Sequence, residues 1–391
     1  MTPAARVQAA IEILDEVIAS ARDDGPPADT LVTRYFKTRR YAGSKDRRAV
    51  RDLVFRAIRR SAERPDSGRS AVLGLAADEP DLLELFGQPR GPEELGARDK
   101  AAPAGAVPEW LKPELSALVA AEEWPALLGR APVDLRINAA RTDRKAMLVA
   151  FPQARPTPIS PWGLRLPPGS KVDDHPAFAD GLVEVQDEGS QLIALACQAK
   201  AGDDIVDLCA GAGGKALALA SATGNHARII ACDTNRARLS RLPPRAARAG
   251  ASIALRLLDG GREAAQLADL GESADIVLVD APCSGSGTWR RNPEGRWRLT
   301  PERLDRLTEL QARILDLAEP SVKPGGRLVY AVCSLLSREG ARQIDRFLSR
   351  YSSWMVEETG VNAGRLDGGG RLLTPAHDST DGFFVASLIR K

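Results

Sequence analysis

The spacing of apolar positions divides the chain into two kinds of pattern. Before residue 60, apolar side chains recur at helical spacing, beginning with Val7, Ile11, Leu14 and Ile18, which is typical of amphipathic helices. Thr2 is placed to cap the first of these helices, since a hydroxyl there accepts from a free backbone N–H. The N-terminal region is therefore predicted to be all-α.

From Leu182 onward, short apolar runs alternate with segments long enough to be helices. Strands that alternate with helices form βαβ units, which pack as a mainly parallel sheet covered by helices on both faces. The pattern therefore predicts a doubly wound α/β fold for this part of the chain. The predicted strands are 204–208, 227–232, 254–258, 275–280, 327–333 and 383–389.

The region between these two patterns is less regular. Residues 87–108 are rich in Pro, Gly and Ala and are predicted to be loop or linker. A strand-like run at 134–138 follows, and then a short helix and several Pro-rich turns. We therefore predict three domains: a helical domain with its linker at 1–125, a small α+β subdomain at 130–180 and an α/β domain at 181–391.

Composition excludes several classes of protein. The 391-residue chain has a net charge of only +2, and its five cysteines include no CxxC pair, which argues against a disulfide framework and a structural zinc site. Its three histidines are scattered, so no bound metal is expected. The N-terminus lacks the layout of a signal peptide, and no apolar run approaches the ~18 residues that cross a bilayer. We expect a cytoplasmic monomer that binds no membrane.

Positive charge is concentrated in one segment. Eleven Arg or Lys lie from Arg34 to Arg60 against only Asp46 and Asp52, a local excess of +9. A solvated helix face is the ordinary explanation of a charge run, but such a face does not need charges of nearly one sign. A phosphate-binding surface is an equally good interpretation, and its affinity would depend on salt. The predicted RNA contacts here are Arg34, Lys37, Arg39, Arg40, Lys45, Arg47 and Arg48.

Acidic residues close four consecutive predicted strands: Asp207, Asp233, Asp259 and Asp280. The carboxyl ends of parallel strands form the edge at which open α/β sheets bind ligands. An acid after the second strand suits a ribose diol, and Asp259 is placed to accept from an adenine amino group. The glycine-rich turn in 207–215 allows close backbone approach to a ligand at a helix N-terminus. Any one acid is as readily a loop cap, but four together favour a nucleoside site.

Two cysteines lie at or just beyond strand ends of this same edge, Cys283 in an Asp-Ala-Pro-Cys motif and Cys333 before a serine. A lone cysteine is usually an inert core residue, whereas a pair at one edge indicates chemistry. Carbon 5 of cytosine is not nucleophilic, so a thiolate must add to carbon 6 before carbon 5 can take a methyl group. The carbon 5 proton and the thiolate must then leave. One thiol can attack while the other assists release.

The loop from Trp289 to Arg298 carries four arginines and two tryptophans. Beside a catalytic edge such side chains can clamp phosphates and stack on bases, although a buried structural role is a reasonable alternative for Trp297. Arg290, Arg291 and Trp297 are predicted RNA contacts. A base must be unstacked to reach the edge, so an exposed or extruded nucleotide is the expected target.

These motifs resemble the RsmB/NOP/Sun-type RNA (cytosine-5)-methyltransferases, and the resemblance extends from about residue 130 to the end of the chain. The first seventy or so residues resemble the helical RNA-binding domain of the antitermination factor NusB, most clearly at 43–47. This coupling is typical of the bacterial branch that methylates small-subunit (16S) ribosomal RNA. The matching stretches are 135–138, 186–191, 207–215, 280–285, 290–293 with Trp297, 333–334 and 381–384.

The resemblance implies a class I (Rossmann-like) methyltransferase sheet, preceded by the all-α domain and a small RNA-recognition-like subdomain. It also implies ribosomal RNA as the partner and S-adenosylmethionine as the cofactor. By position, Cys333 would be the nucleophile and Cys283 would help to release the methylated RNA. Asp280 would hold the cytosine, and Lys215 would lie near the cofactor and the target.

The resemblance further implies that Asp233 binds the ribose, Asp259 the adenine side and the turn at 209–214 the methionine moiety. The turn departs from the family's usual Ala-Ala-Pro-Gly-Gly-Lys-Thr, and Ala331-Val332 replace the usual Ser/Thr pair before the second cysteine. Neither departure removes a reactive group. The implied cofactor-binding residues are Cys209, Ala210, Gly211, Ala212, Gly213, Gly214, Lys215, Asp233, Arg238, Asp259, Gly260, Asp280 and Pro282.

Other functions compete with this one. In a DNA cytosine-5 methyltransferase the cysteine after proline is the nucleophile, so Cys283 would replace Cys333 in that role. An N-methyltransferase would carry an Asn/Asp-Pro-Pro-aromatic motif, which the sequence lacks. The same chemistry on transfer RNA, or a non-catalytic RNA-binding assembly factor that keeps the fold, are the remaining alternatives.

Overall fold

The N-terminal helix begins where the sequence predicts it in the computed structural model, which describes residues 1–23 and 25–391. The Thr2 hydroxyl accepts a hydrogen bond from the Ala5 N–H at 3.2 Å, which satisfies one of the free donors of the first turn. The helices are α1 Pro3–Arg22, α2 Ala28–Lys37, α3 Ser44–Arg60, α4 Gly68–Ala76, α5 Arg144–Ala150, α6 Pro176–Ala179, α7 Glu188–Ala196, α8 Gly214–Ala222, α9 Arg236–Leu239, α10 Leu242–Ala249, α11 Glu263–Leu267, α12 Gly295–Arg298, α13 Pro301–Ala318, α14 Ala341–Arg350 and α15 Pro375–Asp378.

The strands fall into two sheets. Short 3₁₀ turns, such as Pro80–Leu85 and Ala121–Leu127, connect several of the elements. The strands are β1 Val133–Ile137, β2 Arg155–Pro156, β3 Gly163–Leu166, β4 Val183–Val185, β5 Asp204–Asp207, β6 Arg228–Asp233, β7 Ala254–Leu257, β8 Ala274–Asp280, β9 Val322–Val332, β10 Trp354–Glu357, β11 Arg365–Asp367, β12 Gly370–Leu373 and β13 Phe383–Arg390.

The described chain forms two compact units. The first contains 1–115, 120–129 and 288–301, and the second contains 116–119, 130–287 and 302–391. The predicted boundaries at 125, 130 and 180 stay predictions. The inclusion of 288–301 in the first unit was not anticipated, because a segment so distant in sequence gives no local signal of that membership.

The first unit is helical, as the apolar spacing predicts. Buried side chains of α1 to α4 form one apolar core, which includes Leu14, Val54 and Val72. Trp297 of α12 belongs to the same core and is only 2% exposed. The segment 288–301 therefore completes the helical core rather than standing as a separate loop.

The second unit contains the α/β sheet. Its strand order is β11-β12-β13-β9-β8-β5-β6-β7, with β10 paired to β13. Strands β5 to β9 run parallel to one another, and β13 is antiparallel to β9. The six strands predicted from the sequence are all present as β5, β6, β7, β8, β9 and β13, which confirms the Rossmann-like prediction.

A smaller antiparallel sheet of order β2-β3-β1-β4 precedes the large one in the second unit. Leu135, Ile137, Leu164 and Val183 of its strands pack with Met147 of α5 in a core of their own. The strand expected at 134–138 is thus β1. None of the helices in the described part of the chain is long and apolar enough to cross a bilayer.

Candidate active site

Asp280, Cys283 and Cys333, three site residues predicted from the sequence, meet at one edge of the sheet because β8 and β9 are parallel. Asp280 ends β8 opposite Ala331 of β9, so the chain leaves both strands on the same side. The Ala281 N–H donates to the Ala331 carbonyl, and the Gly287 N–H donates to the Cys333 carbonyl at 3.0 Å. These two hydrogen bonds continue the β8–β9 pairing past the ends of the strands, and they hold the two cysteine motifs side by side.

A cavity of about 510 Å³ opens at this edge. Asp233 and Asp280 supply carboxylates to its wall, whereas Leu258, Ile314 and Leu317 make an apolar side. The remaining lining residues are Leu208, Cys209, Thr234, Asn235, Arg238, Glu263, Ala281, Pro282, Cys283, Arg303, Leu307, Leu310, Arg313 and Cys333.

The glycine-rich turn supports this cavity through backbone contacts. Gly211 has φ +56°, in the left-handed region that favours glycine, and its N–H donates to Asp233 Oδ2 at 2.7 Å. The other oxygen of Asp233 accepts from the Asn235 N–H at 2.6 Å. A Cβ on Gly211 would lie 2.4 Å from the Arg238 guanidinium. The turn thus fixes the orientation of the Asp233 carboxylate at the cavity wall.

Lys215 and Asp280 form an ion pair beside the cavity, with Nζ 2.6 Å from Oδ2. Lys215 is only 8% exposed. Burial alone would lower its pKa, but the Asp280 carboxylate, with Cys333 and Asp207 nearby, outweighs burial and raises the pKa of Lys215. The ammonium is therefore held charged next to the nucleophile predicted from the sequence.

Asp207 is the buried acid of the group, 1% exposed at the end of β5. Neither of its carboxylate oxygens has a hydrogen-bond partner of normal geometry among the described residues. Burial, reinforced by the negative charge of Asp280, raises the pKa of Asp207 to about 7, because both effects disfavour the ionised form. Near neutral pH this carboxyl group carries its proton for a large part of the time.

The two thiols are close together. Cys283 Sγ lies 3.3 Å from Cys333 Sγ, and both cysteines are free and partly buried. The hydrogen bond with Cys333, then burial, and then the charges of Cys333 and Glu339 raise the pKa of Cys283 well above its ordinary value. Cys283 therefore holds its proton more firmly than an ordinary thiol does.

Behind the thiols lies a cluster of hydroxyls around Glu339. The Ser284 hydroxyl donates to Glu339 Oε2 at 2.5 Å, and the Ser334 hydroxyl donates to the same oxygen at 2.5 Å. Gln311 of α13 donates to Glu339 Oε1 at 2.9 Å and to the Pro282 carbonyl at 2.9 Å. Sequence patterns do not single out Glu339 or Gln311, because neither belongs to a strand-end motif.

The structure brings together most of the predicted site. Cys209, Asp233, Arg238, Asp280, Pro282, Cys283 and Cys333 all line the cavity. Lys215 reaches it through Asp280. The turn residues Ala210, Gly211, Ala212, Gly213 and Gly214 lie behind this wall, where Ala212 accepts a hydrogen bond from Arg245 and Gly213 contacts Leu242.

Asp259 is placed differently from the expectation. It is exposed and pairs with Gln266, which donates to its carboxylate at 3.0 Å and accepts from its N–H. Neither Asp259 nor Gly260 lines the cavity, whereas Leu258 and Glu263 do. The structure therefore does not bring Asp259 to the adenine side of the predicted nucleoside site.

Helix α13 supplies the wall that the sequence did not reveal. Arg303, Leu307, Leu310, Arg313 and Ile314 face the cavity at helical spacing. Arg313 donates to the buried Glu263 at 2.8 Å. The amphipathic spacing of 303–317 indicates a helix. It does not indicate that this helix covers the cavity at the carboxyl edge of the sheet.

The predicted RNA contacts of the first unit divide by exposure. Arg34, Lys37, Arg40, Lys45, Arg47 and Arg48 are exposed, whereas Arg39 is half-buried. The Arg39 guanidinium stacks over the Tyr35 ring at 3.6 Å and pairs with Glu12. The exposed members remain available for the predicted contact with phosphate.

The prediction that Trp297 stacks on RNA bases is wrong. Its indole is 2% exposed within the helical core, and its Nε1–H donates to the Ser61 carbonyl at 2.9 Å. A ring buried in this way cannot present a face to a base. Arg290 is also largely buried, at 7% exposure, and its predicted RNA contact stays a prediction. Arg291 keeps partial exposure.

A parallel sheet with acids at its carboxyl edge and an additional antiparallel strand, β13, defines a Rossmann-like methyltransferase. A sequence model of the family described as "16S rRNA methyltransferase RsmB/F" matches residues 193–389. The chain belongs to this family.

The chain is similar to curated relatives from Salmonella. The protein of Salmonella arizonae called "Ribosomal RNA small subunit methyltransferase B" is 37% identical over 266 residues, and that of Salmonella paratyphi B, with the same name, is 36% identical. Each match covers 67% of this chain and 60% of the relative. The chain thus matches about three fifths of the length of these relatives.

Solved structures agree on the fold. The protein PH0851 superimposes with a TM-score of 0.76 at 20% identity, covering 100% of this chain and 99% of its own. NSun6 from Pyrococcus horikoshii gives a TM-score of 0.65 at 20% identity, over 72% of this chain and 97% of its own. A methyltransferase homologue from the same organism gives 0.62 at 24% identity, over 71% and 92%.

Proposed function

We propose that this protein methylates carbon 5 of a cytosine in 16S ribosomal RNA, with S-adenosylmethionine as the methyl donor and Cys333 as the nucleophile. The observation that carries the proposal is the pair of thiols 3.3 Å apart at the edge of a cavity whose lining includes Asp233 and Asp280. Membership of the RsmB/F family and the name of the Salmonella relatives support ribosomal RNA as the substrate.

The cavity residues fit the proposed cofactor. Asp233 is the last residue of β6, the second parallel strand along the chain, where a carboxylate accepts from both hydroxyls of a ribose. Leu258, Ile314 and Leu317 offer an apolar surface suited to a purine ring. When bound, the cofactor supplies the methyl group as a sulfonium and departs as a neutral thioether.

The first step is attack by Cys333. Its thiolate forms a bond to carbon 6, the carbon 5–carbon 6 double bond opens, and carbon 5 becomes the nucleophile that accepts the methyl group. The buried Lys215 ammonium lies close enough to Cys333 to stabilise an anionic sulfur. Asp280 is placed to hold the base, since a carboxylate accepts from the exocyclic amino group of cytosine.

The second step is release, and it assigns a changing role to Cys283. Before attack, the neighbouring Cys333 sulfur is the main reason that the pKa of Cys283 is raised. Once Cys333 is bonded to carbon 6, its charge and its hydrogen-bonding capacity are lost, so the pKa of Cys283 falls. Cys283 can then lose its proton to solvent, and its thiolate takes the carbon 5 proton. The electron pair of that carbon–hydrogen bond re-forms the carbon 5–carbon 6 double bond, and the carbon 6–sulfur bond breaks to regenerate the Cys333 thiolate.

This division of roles predicts which variant stalls. Cys283→Ala should attack but not release, and should accumulate a covalent enzyme–RNA adduct. The variant would be expressed in a bacterial host that lacks its own equivalent enzyme and purified under denaturing conditions, and the attached RNA would be sequenced. Cys333→Ala and the double variant are the controls, and neither should carry RNA.

Each outcome has a distinct meaning. An adduct in Cys283→Ala alone, mapped to one 16S cytosine, supports the whole proposal. An adduct mapped to transfer RNA keeps the chemistry and replaces the substrate. An adduct that survives loss of Cys333 reverses the roles of the two thiols, as in a DNA-type enzyme. No adduct in any variant, together with no methyl transfer to 16S RNA by the wild type, contradicts the proposal and leaves the assembly-factor alternative.

A further inference from the structure

Glu339 is a buried acid outside the predicted site that contacts both cysteine motifs. It lies just before α14 and is 0% exposed. Its carboxylate accepts four hydrogen bonds: from the Ser284 N–H at 2.8 Å, from the Ser284 and Ser334 hydroxyls, and from the Gln311 amide at 2.9 Å. A buried carboxylate is costly unless its lone pairs are satisfied, and here neutral donors from three separate segments satisfy them.

The donors are the immediate neighbours of the reactive sulfurs. Ser284 follows Cys283, and Ser334 follows Cys333. Both hydroxyls converge on the same oxygen, Oε2, at 2.5 Å. One carboxylate oxygen therefore joins two chain segments that are otherwise fifty residues apart in sequence, and any movement of one segment must be followed by the other or break a bond.

Further contacts make the cluster rigid. The Ser286 hydroxyl lies 3.0 Å from that of Ser334 and accepts from the Leu335 N–H at 2.9 Å. The Glu339 carbonyl accepts from the Tyr330 hydroxyl at 2.7 Å, which anchors the acid to β9. In a site shielded from water, hydrogen bonds of this kind are stronger and reinforce each other.

We infer that Glu339 is a positioning residue for both thiols: its carboxylate fastens the Cys283 loop to the end of β9 and so sets the separation of Cys283 and Cys333. The consequence for catalysis rests on the proposed function, but the consequence for thiol geometry does not. The buried charge has a second effect, since it contributes, after Cys333 and burial, to the raised pKa of Cys283.

The first test measures thiol reactivity in the free protein, without RNA or cofactor. Wild type, Glu339→Gln and Glu339→Ala would be treated with iodoacetamide across a pH series, and alkylation of each cysteine would be followed by peptide mass spectrometry. Glu339→Gln keeps the shape and most hydrogen bonds but removes the charge, so the pH midpoint for Cys283 alkylation should fall. A midpoint unchanged from that of wild type in both folded variants would overturn the inference.

The second test separates positioning from general loss of stability. Glu339→Ala should lower kcat on the order of 100-fold, because small misplacements of reacting groups are expensive, and should leave KM for RNA nearly unchanged. Glu339→Gln should recover part of that loss, since its amide keeps the two segments joined. Glu357→Gln is the matched control: Glu357 pairs with Arg327 in the same unit, and its variant should keep wild-type kcat and thiol profiles.

Two outcomes remain to be distinguished. If Glu339→Ala fails to fold, the Ser284→Ala/Ser334→Ala double variant removes both hydroxyl donors and keeps the acid, and it should show the same selective loss of kcat. Wild-type kcat in that double variant would contradict the inference. If the thiol profiles depend on Glu339 but the wild type methylates no RNA, the proposed function fails and the positioning role stands.

Discussion

Gly213 lies against Leu242 so closely that no side chain fits between them. Gly213 has φ +81°, and a Cβ at this position would lie 2.2 Å from Leu242 Cδ1. Leu242 begins α10 and is fully buried. The entry into α8 is therefore shaped by a neighbouring helix as well as by its own backbone conformation.

This contact predicts the effect of adding one methyl group. Gly213→Ala should destabilise the protein by about 2–4 kcal/mol, since it combines a strained backbone with overpacking, and should weaken binding of S-adenosylmethionine. Gly169→Ala is a matched control, because Gly169 has φ +80° with nothing within 4 Å of its Cβ position. Urea unfolding of both variants would separate the steric contact from the backbone strain. Equal losses in the two variants would show that Leu242 is irrelevant.

The buried carboxyl of Asp207 predicts a pH dependence of stability. Its folded pKa, about 7, lies above the ordinary value of 3.8, so the folded protein binds the proton more tightly than the unfolded chain. The contribution of Asp207 to the free energy of unfolding is therefore fully present below about pH 4 and is lost as pH rises to about 7. Over this range the free energy of unfolding falls by an amount on the order of 3 kcal/mol.

Asp207→Asn should remove this slope and gain stability relative to wild type at pH 8. The measurement is urea unfolding of the free protein at several pH values between 4 and 8. Asp204→Asn, at the other end of β5, serves as the control and should retain the wild-type slope. A slope that survives in Asp207→Asn would mean that another group titrates in this range.

How much of this site the sequence predicts depends on whether its residues belong to strand ends. Asp233, Asp280 and Cys333 were predicted correctly to meet, because parallel strands place their carboxyl ends at one edge whatever their separation along the chain. Glu339 was not found, since its position follows from side-chain packing between segments. Asp259 shows the opposite failure: its strand is real, but Gln266 engages its carboxylate away from the cavity.

The edge strands show the same distinction. Strand β13 was predicted from a long apolar run, whereas β11 and β12 are short and mixed in polarity. They join the sheet in sequence, β12 pairing with β13 and β11 with β12. Trp297 illustrates the limit for exposure. An aromatic ring among arginines has the composition of an RNA-binding loop, and only the tertiary structure shows that the ring is inside the helical core.

Burial of Trp297 predicts a stability effect rather than a binding effect. Trp297→Ala should cost about 3–5 kcal/mol, as for other large-to-small core changes, because it leaves a cavity and the Ser61 carbonyl without its donor. Tyr41→Ala is the control, since Tyr41 is 73% exposed and should change stability by less than about 0.5 kcal/mol. Calorimetry of both variants tests this, and a stable Trp297→Ala would mean that the ring is not part of the core in solution.

The exposed cations of the first unit predict the salt dependence of RNA binding. If these residues contact RNA phosphates as proposed, Arg34→Ala, Lys37→Ala and Arg40→Ala should each weaken binding. Each should then reduce the slope of log affinity against log salt by about 0.7, because one proposed phosphate contact is lost. Arg22→Ala, an exposed charge on α1 outside the basic segment, should leave the slope unchanged. Filter binding to a 16S fragment at several salt concentrations measures this. Equal slopes in all variants would support the alternative of a solvated helix face.

The membership of 288–301 in the helical unit has a consequence for synthesis on the ribosome. Besides Trp297, this segment contributes Arg296, whose guanidinium donates to the Ile58 carbonyl at 2.6 Å, and Glu294, which accepts from the Ala28 N–H at 3.0 Å. A nascent chain that ends before residue 294 lacks all three. The helical unit therefore reaches its final packing only after strands β5 to β8 of the α/β sheet have been synthesised, even though most of its own residues lie before residue 130.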